Sequence, residues 1–501
     1  MIISHDLGTT GDKASLHDNG GRPLAACTVG YPTRFGHGGV AEQDPEDWWR
    51  AACEATRRLV ARAGVDPGGV DGIALSGQMM GAVFLDGGFA PVRPAMIWAD
   101  HRSTAQSDLL AGRLGMESAY RELGHRVDPT YSLAKVMWVR DNEPENWARV
   151  RHVCLAKDLV TLRLTGRLVT DPSDASSTNA YDQNAGAWSR RVLDAAELPE
   201  ELLPPVVAST EVAGGLTAGA AAELGLAEGT PVVVGGGDGP MAAVGAGVVS
   251  PADGPYVCMG SSSWISVAAR RPLLDPPMRS MTFNHVVPGH FVPTTTMQAG
   301  GACLAWVVDL LSPGGGPGRF GPLLAAADEA PAADEGLYFL PHLLGERSPY
   351  WNPAAAGVFA GLGRHHGRGH MVRAVLEGVA FNLRTCIGAF RDGGVAVERV
   401  DVIGGGAGSD VWLRVLADVW GVEVRRRSIV EDANSLGAAV TGLVGLGLAD
   451  GFGIARGLST TTAVFTPDAR RCARYAEQHG IFLDAYERMR PWFDLRGGEA
   501  E

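Results

Sequence analysis

Four short turns hold the residues of this chain that could do chemistry. The first, Asp6-Leu7-Gly8-Thr9-Thr10-Gly11-Asp12-Lys13, follows the strand-like start Ile2-Ile3-Ser4-His5. It groups an acid, two glycines, adjacent hydroxyls and a lysine. A carboxylate there can hold a metal ion, while hydroxyls and glycine-exposed amides hold phosphate oxygens, which is what a nucleotide triphosphate requires. Gly-Thr-Thr-Gly is equally good turn chemistry, so the segment alone reads as a phosphate site or as an ordinary hairpin. The second turn, Gly235-Gly236-Gly237-Asp238, sets an acid at the mouth of the apolar run Val232-Val233-Val234. The third is Gly260-Ser261-Ser262, and the fourth runs from Gly404 to Asp410 and opens a helix whose first amides can face phosphate or nucleoside. A tight turn explains any one of them; four in one chain need another reason.

Elements must position these turns. Asp44-Pro45-Glu46-Asp47 predicts a helix start, with an Asp cap, Pro at the first position and acids in the first turn. Trp48, Ala52, Ala55 and Leu59 continue its apolar stripe. Ile73-Ala74-Leu75 predicts a buried strand ending at Ser76-Gly77-Gln78-Met79-Met80-Gly81, and residues 155–164 predict a helix ending near Gly166. After about residue 250 the pattern restarts, with strand-like Tyr256-Val257-Cys258-Met259. A long helix is expected over 371–390, a strand at Val402-Ile403, and a helix carrying Val411, Val415, Leu416 and Val419 inward with Gly421 just past its end. The tail, 470–501, reads as one helix and a polar end. Alternating strands and helices give an α/β class. The restart predicts two domains, 1–249 and 250–501, each with a phosphate-type turn near its beginning, the layout that would clamp a nucleotide between similar halves.

Composition narrows the function. The 501 residues are 46% hydrophobic and 20% charged, as in a soluble globular chain of two or three domains. A net charge of −13 without basic runs excludes a nucleic-acid partner. Lysine occurs only at Lys13, Lys135 and Lys157, none after a glycine, so a P-loop is excluded. Seven scattered cysteines form neither a C-x-x-C pair nor a zinc-spaced cluster, and read as small core residues in a reducing compartment. The N-terminus has no basic-then-apolar leader pattern and no stretch is long and uncharged enough to span a bilayer, so the cytoplasm is the default expectation. His365-His366 and His370 read as a solvated loop rather than a metal site. Trp48-Trp49 reads as a helix face, with sugar stacking as the alternative, and Glu346-Arg347 as an ion pair fixing an inter-domain loop.

Longer motifs add specificity. They are Ala41-Glu42-Gln43-Asp44-Pro45-Glu46-Asp47-Trp48-Trp49, Ser76-Gly77-Gln78-Met79-Met80-Gly81-Ala82, Arg93-Pro94-Ala95-Met96-Ile97-Trp98-Ala99-Asp100-His101-Arg102, Phe339 to Pro349, and Gly404-Gly405-Gly406-Ala407 with Trp412 and Asp418. With the four turns, and in this order over nearly the whole length, they resemble the FGGY carbohydrate kinases of the actin-like ATPase superfamily, most closely the xylulokinase branch. The resemblance implies two actin-like (ribonuclease H-like) domains flanking a catalytic cleft, and transfer of the ATP γ-phosphoryl group to a hydroxyl of a small sugar or polyol. It implies Asp238 as general base, with Gln78, Met79, Met80, Trp98, Asp100 and Asp238 at the substrate. It implies ATP held by Thr9, Thr10, Lys13, Gly260, Ser261, Ser262, Gly301, Gly405 and Gly406, and Mg²⁺ held by Asp6 directly or through water. No nucleic-acid or membrane partner is implied, and a homodimer is left open.

Two positions depart from the branch. Its sugar loop usually reads Gly-Gln-Met-His-Gly, where this chain has Met80, and it usually carries Asn after the catalytic Asp, where this chain has Gly239. Two polar sugar contacts are missing together. Either the substrate is not D-xylulose or other groups such as Trp98, Asp100 or Arg102 compensate; D-xylulose stays the leading substrate, with L-xylulose, ribulose, a tetritol or another short polyol as alternatives. An actin-like scaffold is disfavoured by the segments around Gln78 and Asp238, and a sugar-sensing regulator by the absence of a DNA-binding module.

Overall fold

The computed structural model describes residues 1–429 and 432–497. Two sheets organise them. The first is formed by β1 (Ile2–Leu7), β2 (Gly11–His17), β3 (Pro23–Gly30), β4 (Gly72–Gly77), β5 (Val212–Gly215) and β6 (Pro231–Gly237), in the order β5-β6-β4-β1-β2-β3. The second is formed by β7 (Tyr256–Met259), β8 (Ser263–Ser266), β9 (Met281–Asn284), β10 (Phe291–Met297), β11 (Arg399–Ile403), β12 (Glu423–Arg427) and β13 (Thr461–Phe465), in the order β9-β10-β8-β7-β11-β12-β13. Each sheet is built the same way. An antiparallel hairpin (β1/β2 or β7/β8) sits beside a parallel strand (β4 or β11), then a second parallel strand (β6 or β12), then an antiparallel edge. The restart near residue 250 is a structural repeat.

Local chemistry places the helices. Helix α1 (Pro45–Ala63) is capped by the Asp44 carboxylate on the Glu46 amide and ends at left-handed Gly64. Helix α2 (Ala156–Thr165) ends at left-handed Gly166. Helix α3 (Asp238–Gly245) follows β6 directly. In the second half α4 (Gly301–Leu311), α5 (Arg368–Asp392), α6 (Asp410–Trp420) and α7 (Ala433–Gly445) follow, and α6 closes on left-handed Gly421. The tail is helical over Ala469–Gly497 (α8); its polar end, 498–501, lies outside the described residues.

One core packs around the first sheet, where Trp48, Leu59, Ile73 and Leu75 meet; a larger one around the second joins Val375, Phe381, Trp412 and Trp420. The two halves exchange helices. Helix α3, from the end of the first half, packs Ala242 and Ala243 against Tyr256 and Ile403 of the second sheet. Helix α7, from the second half, packs Ala439 and Leu443 against Ile2 of the first. The two helices cross with almost no side chain between them. A Cβ on Gly437 would lie 2.0 Å from the Met241 carbonyl oxygen, and one on Gly245 would lie 1.9 Å from that of Ala433. Gly437→Ala should therefore destabilise the protein by about 1–3 kcal/mol, as overpacking does. Gly219→Ala, a helix position with nothing within 4 Å, should be neutral or slightly stabilising. The pair of denaturation midpoints checks the crossing; equal midpoints would mean the helices are not held this closely.

Candidate active site

Asp6 lies near the end of β1 and Lys13 lies on β2, paired in register, so the first turn is a hairpin with a Gly8-Thr9-Thr10 tip. The tip is held from outside. The Trp98 indole N–H donates to Thr9 Oγ1 at 2.9 Å, the Gln43 amide donates to the Thr9 carbonyl at 2.6 Å, and the Tyr31 hydroxyl donates to the Gly8 carbonyl at 2.5 Å. Asp6 stands beside Ser76 of β4, whose hydroxyl donates to its Oδ1 at 2.9 Å. From the second half, Asn434 at the start of α7 donates to the same oxygen at 3.4 Å.

Asp238 comes from the neighbouring parallel strand. β6 shifts register between Val233 and Gly236, and Gly235 takes φ +75°, where a Cβ would lie 1.8 Å from the Leu75 carbonyl oxygen. Behind it, the Gly237 amide donates to Ser173 Oγ, Ser173 donates to Asp171, and buried Lys157 faces Asp171, Asp158 and Asp174. The three glycines thus serve close packing on β4 and the short helix Pro172–Ala175, not ligand approach. Asp238 is not in a loop, as the sequence suggested; it is the first residue of α3, with its Oδ1 accepting the Gly239 amide at 2.8 Å.

The two acids repel. Burial first, then the Asp6 charge, pushes the Asp238 carboxyl up to about 7, against the Gly239 amide. Burial also pushes Asp6 up to about 6, opposed by the hydrogen bonds of Ser76 and Asn434. The two hydrogen bonds Asp6 accepts both fall on Oδ1. A half-buried carboxylate beside a second acid, with one oxygen committed, fits a divalent cation.

Two cavities meet here. The smaller, about 220 Å³, has Asp238 and Gly239 in its wall with Met79, Met80 and Trp98 from the first half. The second half supplies Ser262, Trp264, Met281, Phe283, Thr296, Met297, Gln298, Arg347 and Asn434. The larger, about 740 Å³, is lined by Gly260, Ser261, Gly301, Gly404, Gly405, Gly406, Ser409, Phe320, Leu324 and Trp412. The exposed tip of the β7/β8 hairpin stands between them, since Gly260 and Ser261 face the larger cavity and Ser262 the smaller. The amide of Gly301, at the start of α4, donates to the Gly260 carbonyl at 2.8 Å and ties helix to tip. Met80 has φ +67°, a strained conformation for a side-chain-bearing residue; its amide donates to Ser177 Oγ.

Several sequence expectations are corrected. Gln78 does not line the small cavity; its amide bonds Gln43 and Gly8, so it braces the hairpin. Asp100 is fully buried and accepts the Ala41 amide and the Arg102 guanidinium, which leaves it no sugar contact. Arg102 is spent on Asp100 and Glu42, so neither compensates for Met80. Thr9, Thr10 and Lys13 line neither cavity, and Lys13 pairs with Asp432 at the cap of α7. Trp48 and Trp49 donate to Gln43 and Glu223 from the core, not to the cavity. Glu346 accepts the backbone amides of Gln298 and Arg347, with His342 and Asn382 on its other oxygen, and makes no guanidinium pair. His365, His366 and His370 converge on Glu335, but the Gly363 and Gly367 amides donate to Nδ1 of His366 and His370. With Nδ1 accepting, Nε2 of His366 and His370 carries the hydrogen, while Glu335, His365 and His366 offer ligand atoms within 4.8 Å of one another. In the second-half wall of the small cavity the sequence motifs mark Ser262 and Arg347, whereas Trp264, Met281, Phe283, Thr296, Met297 and Gln298 follow no motif, and only the alternating pattern of β9 and β10 hints at them.

Paired hairpins over a cleft, with helix N-termini facing two cavities, are the architecture of the actin-like sugar kinases. The chain belongs to the FGGY family of carbohydrate kinases: residues 1–245 match the family's N-terminal domain and 256–446 its C-terminal domain. It is 33% identical to the xylulose kinase of Escherichia coli (strain K12), covering 98% of this chain and 99% of that one, and 32% identical to that of Bacillus subtilis (strain 168), covering 97% and 96%. The crystal structure of xylulose kinase from Rhodospirillum rubrum superposes with a TM-score of 0.91 at 31% identity, covering 98% of this chain and 99% of that one. The protein is an ATP-dependent sugar kinase of xylulokinase type. Among the described residues no helix is long and apolar enough to cross a membrane.

The raised Asp238 carboxyl has a sign that stability can read. Its folded value lies above the ordinary carboxylate value, so its contribution favours folding at low pH and is lost as pH rises through about 7. Asp238→Asn should therefore raise the melting temperature by a few degrees at pH 8, and the gain should vanish near pH 4. A gain independent of pH would contradict the shift.

Proposed function

We propose that this kinase phosphorylates a ketopentose, D-xylulose first, to its 5-phosphate, with Asp238 as general base. The observation that carries the reading is the junction of the two cavities: Asp238 faces the smaller, and the larger, of nucleotide size, begins across the Gly260-Ser261-Ser262 tip. The domain division follows, with 1–249 supplying the base and 250–501 the nucleotide pocket, although the sugar cavity draws on both.

Asp238 accepts the proton of the sugar hydroxyl and aligns its oxygen; a carboxyl poised near neutrality is suited to that task. Because the phosphoryl transition state is loose, alignment outweighs early deprotonation. Asp6 would hold magnesium. Bound there, the ion would neutralise the transferring oxygens and relieve the repulsion between Asp6 and Asp238. Amides of Gly260, Ser261 and Ser262 hold phosphate oxygens. Gly405, whose missing side chain leaves open space, and Gly406 let the nucleoside lie on backbone, with Phe320, Leu324 and Trp412 as its apolar walls. Thr9, Thr10 and Lys13 reach phosphate only if the Trp98 and Asp432 contacts open as the cleft closes on ATP. Apolar walls limit water and thus ATP hydrolysis.

A second reading has a specific basis. Met80 and Gly239 both line the sugar cavity and give it no polar side chain where the xylulokinase branch has two. Another ketose or a short polyol is then the acceptor, since buried polar pairing carries most discrimination. A coupled ADP-release assay over pentuloses, hexuloses, polyols and sugar acids separates the readings; no stimulation by any acceptor would end the kinase assignment. With the best acceptor, Asp238→Asn should lower kcat by about 10²–10⁴-fold with ATP affinity retained, the range for a lost general base. The wild-type kcat/KM should fall as pH drops below about 7, because protonation of Asp238 removes the base. Near-full activity of the variant would overturn the assignment.

A further inference from the structure

Among the described residues Arg347 is the one guanidinium in the wall of the sugar cavity, and the mechanism above gives it no task. Its backbone is fixed, since its amide donates to Glu346 Oε1 at 3.1 Å while His342 and Asn382 hold the other oxygen of that carboxylate. Its side chain leaves the second half and lies among groups of the first. The guanidinium carbon sits 5.7 Å from the Trp351 ring centroid. Burial pushes the Asp128 carboxyl up, but the charge of Arg347, with hydrogen bonds from Thr130, holds it below its ordinary value. Nε and Nη2 of Arg347 are shut off from solvent with no hydrogen-bond partner. On strand β10, Thr296 Oγ1 lines the same cavity and also lacks a partner. Unpaired buried donors are unfavourable unless a ligand brings acceptors. The facing wall of Met79, Met80, Met281 and Phe283 brings only thioethers, and the one hydroxyl in that cluster, on Tyr131, can serve a single guanidinium N–H.

Resting on the sugar-kinase reading of this cleft, we propose that Arg347 reads the non-reacting end of the acceptor, donating across the domain boundary to its hydroxyl or carbonyl oxygens, with Thr296 as the adjoining polar contact. The Asp128 charge already acts on the guanidinium, so neutral acceptor oxygens complete its hydrogen bonding without a second anion. A polyhydroxy ketone or polyol meets that need and a sugar acid does not. In this pocket Arg347 takes over the discrimination that Met80 and Gly239 cannot provide.

The test is steady-state kinetics of wild type, Arg347→Lys and Arg347→Met with ATP and D-xylulose, then D-gluconate. Lysine keeps the charge but not the planar fork. The sugar KM should rise about tenfold or more in both variants, the size of a lost hydrogen bond to a charged donor. The ATP KM should move by less than about twofold, as for a contact made only with the acceptor. Arg347→Lys, which keeps the charge that acts on buried Asp128, should hold the wild-type melting temperature. An unchanged sugar KM overturns the proposal, as does a joint rise of both KM values with a lowered melting temperature, which marks a structural role at Trp351. Wild-type turnover of D-gluconate that Arg347→Met selectively removes overturns the neutral-oxygen assignment. Failure of every acceptor to stimulate the wild type overturns this proposal together with the kinase reading, whereas a stimulated wild type with indifferent variants overturns this proposal alone.

Discussion

The close crossing of α3 and α7 is the constraint on which the rest of the structure depends. Only glycine at positions 245 and 437 lets these helices run backbone to backbone, each carrying one half of the chain onto the sheet of the other. The crossing also fixes what their N-termini present. Asp238 opens α3 and Asn434 lies in the first turn of α7, so the proposed base and the residue that reaches Asp6 are set by one packing contact. A side chain wedged at the crossing would separate the acids and the halves together.

Charge follows from that geometry. The strands flanking β4, both parallel to it, bring Asp6 and Asp238 to the same end of one sheet, where burial raises both carboxyls and the Asp6 charge raises Asp238 further. In an ordinary core this arrangement would be a defect. In the proposed mechanism it is instead a place for a cation and a proton acceptor beside the small cavity, and the N-terminal ends of two helices suit the phosphates. The apolar remainder of the small cavity raises the weight of each polar group left in it, which is why Arg347 stands out.

The fold was legible in the sequence because its signals are local. Asp44 and Pro45 start α1, Gly166 and Gly421 end α2 and α6, and the apolar runs at Ile73 and Val232 are buried strands. The two acids were legible because each follows or closes a strand whose neighbours are fixed. The roles of Gln78, Asp100 and Lys13 were not. Each is a polar residue in a motif, and whether it faces a ligand or a neighbour depends on partners distant in sequence: Gln43, Ala41 and Asp432. Most of the second-half wall of the sugar cavity was hidden for the same reason. Glu346 and Arg347 are adjacent in sequence, yet the loop turns their side chains apart, one to backbone amides and the other to the cleft.

The central claim is that Asp238 and Asp6 form one coupled acid pair at the heart of the cleft. Carboxyl-carbon NMR of ¹³C-aspartate-labelled protein, titrated with and without Asp6→Asn, tests it most directly. The account predicts one aspartate titrating near 7 in the wild type, assigned to Asp238 by its loss in Asp238→Asn, and a clear downward move of that midpoint when the Asp6 charge is removed. A signal from Asp238 that titrates in the ordinary carboxylate range, or one that ignores Asp6→Asn, would contradict the account.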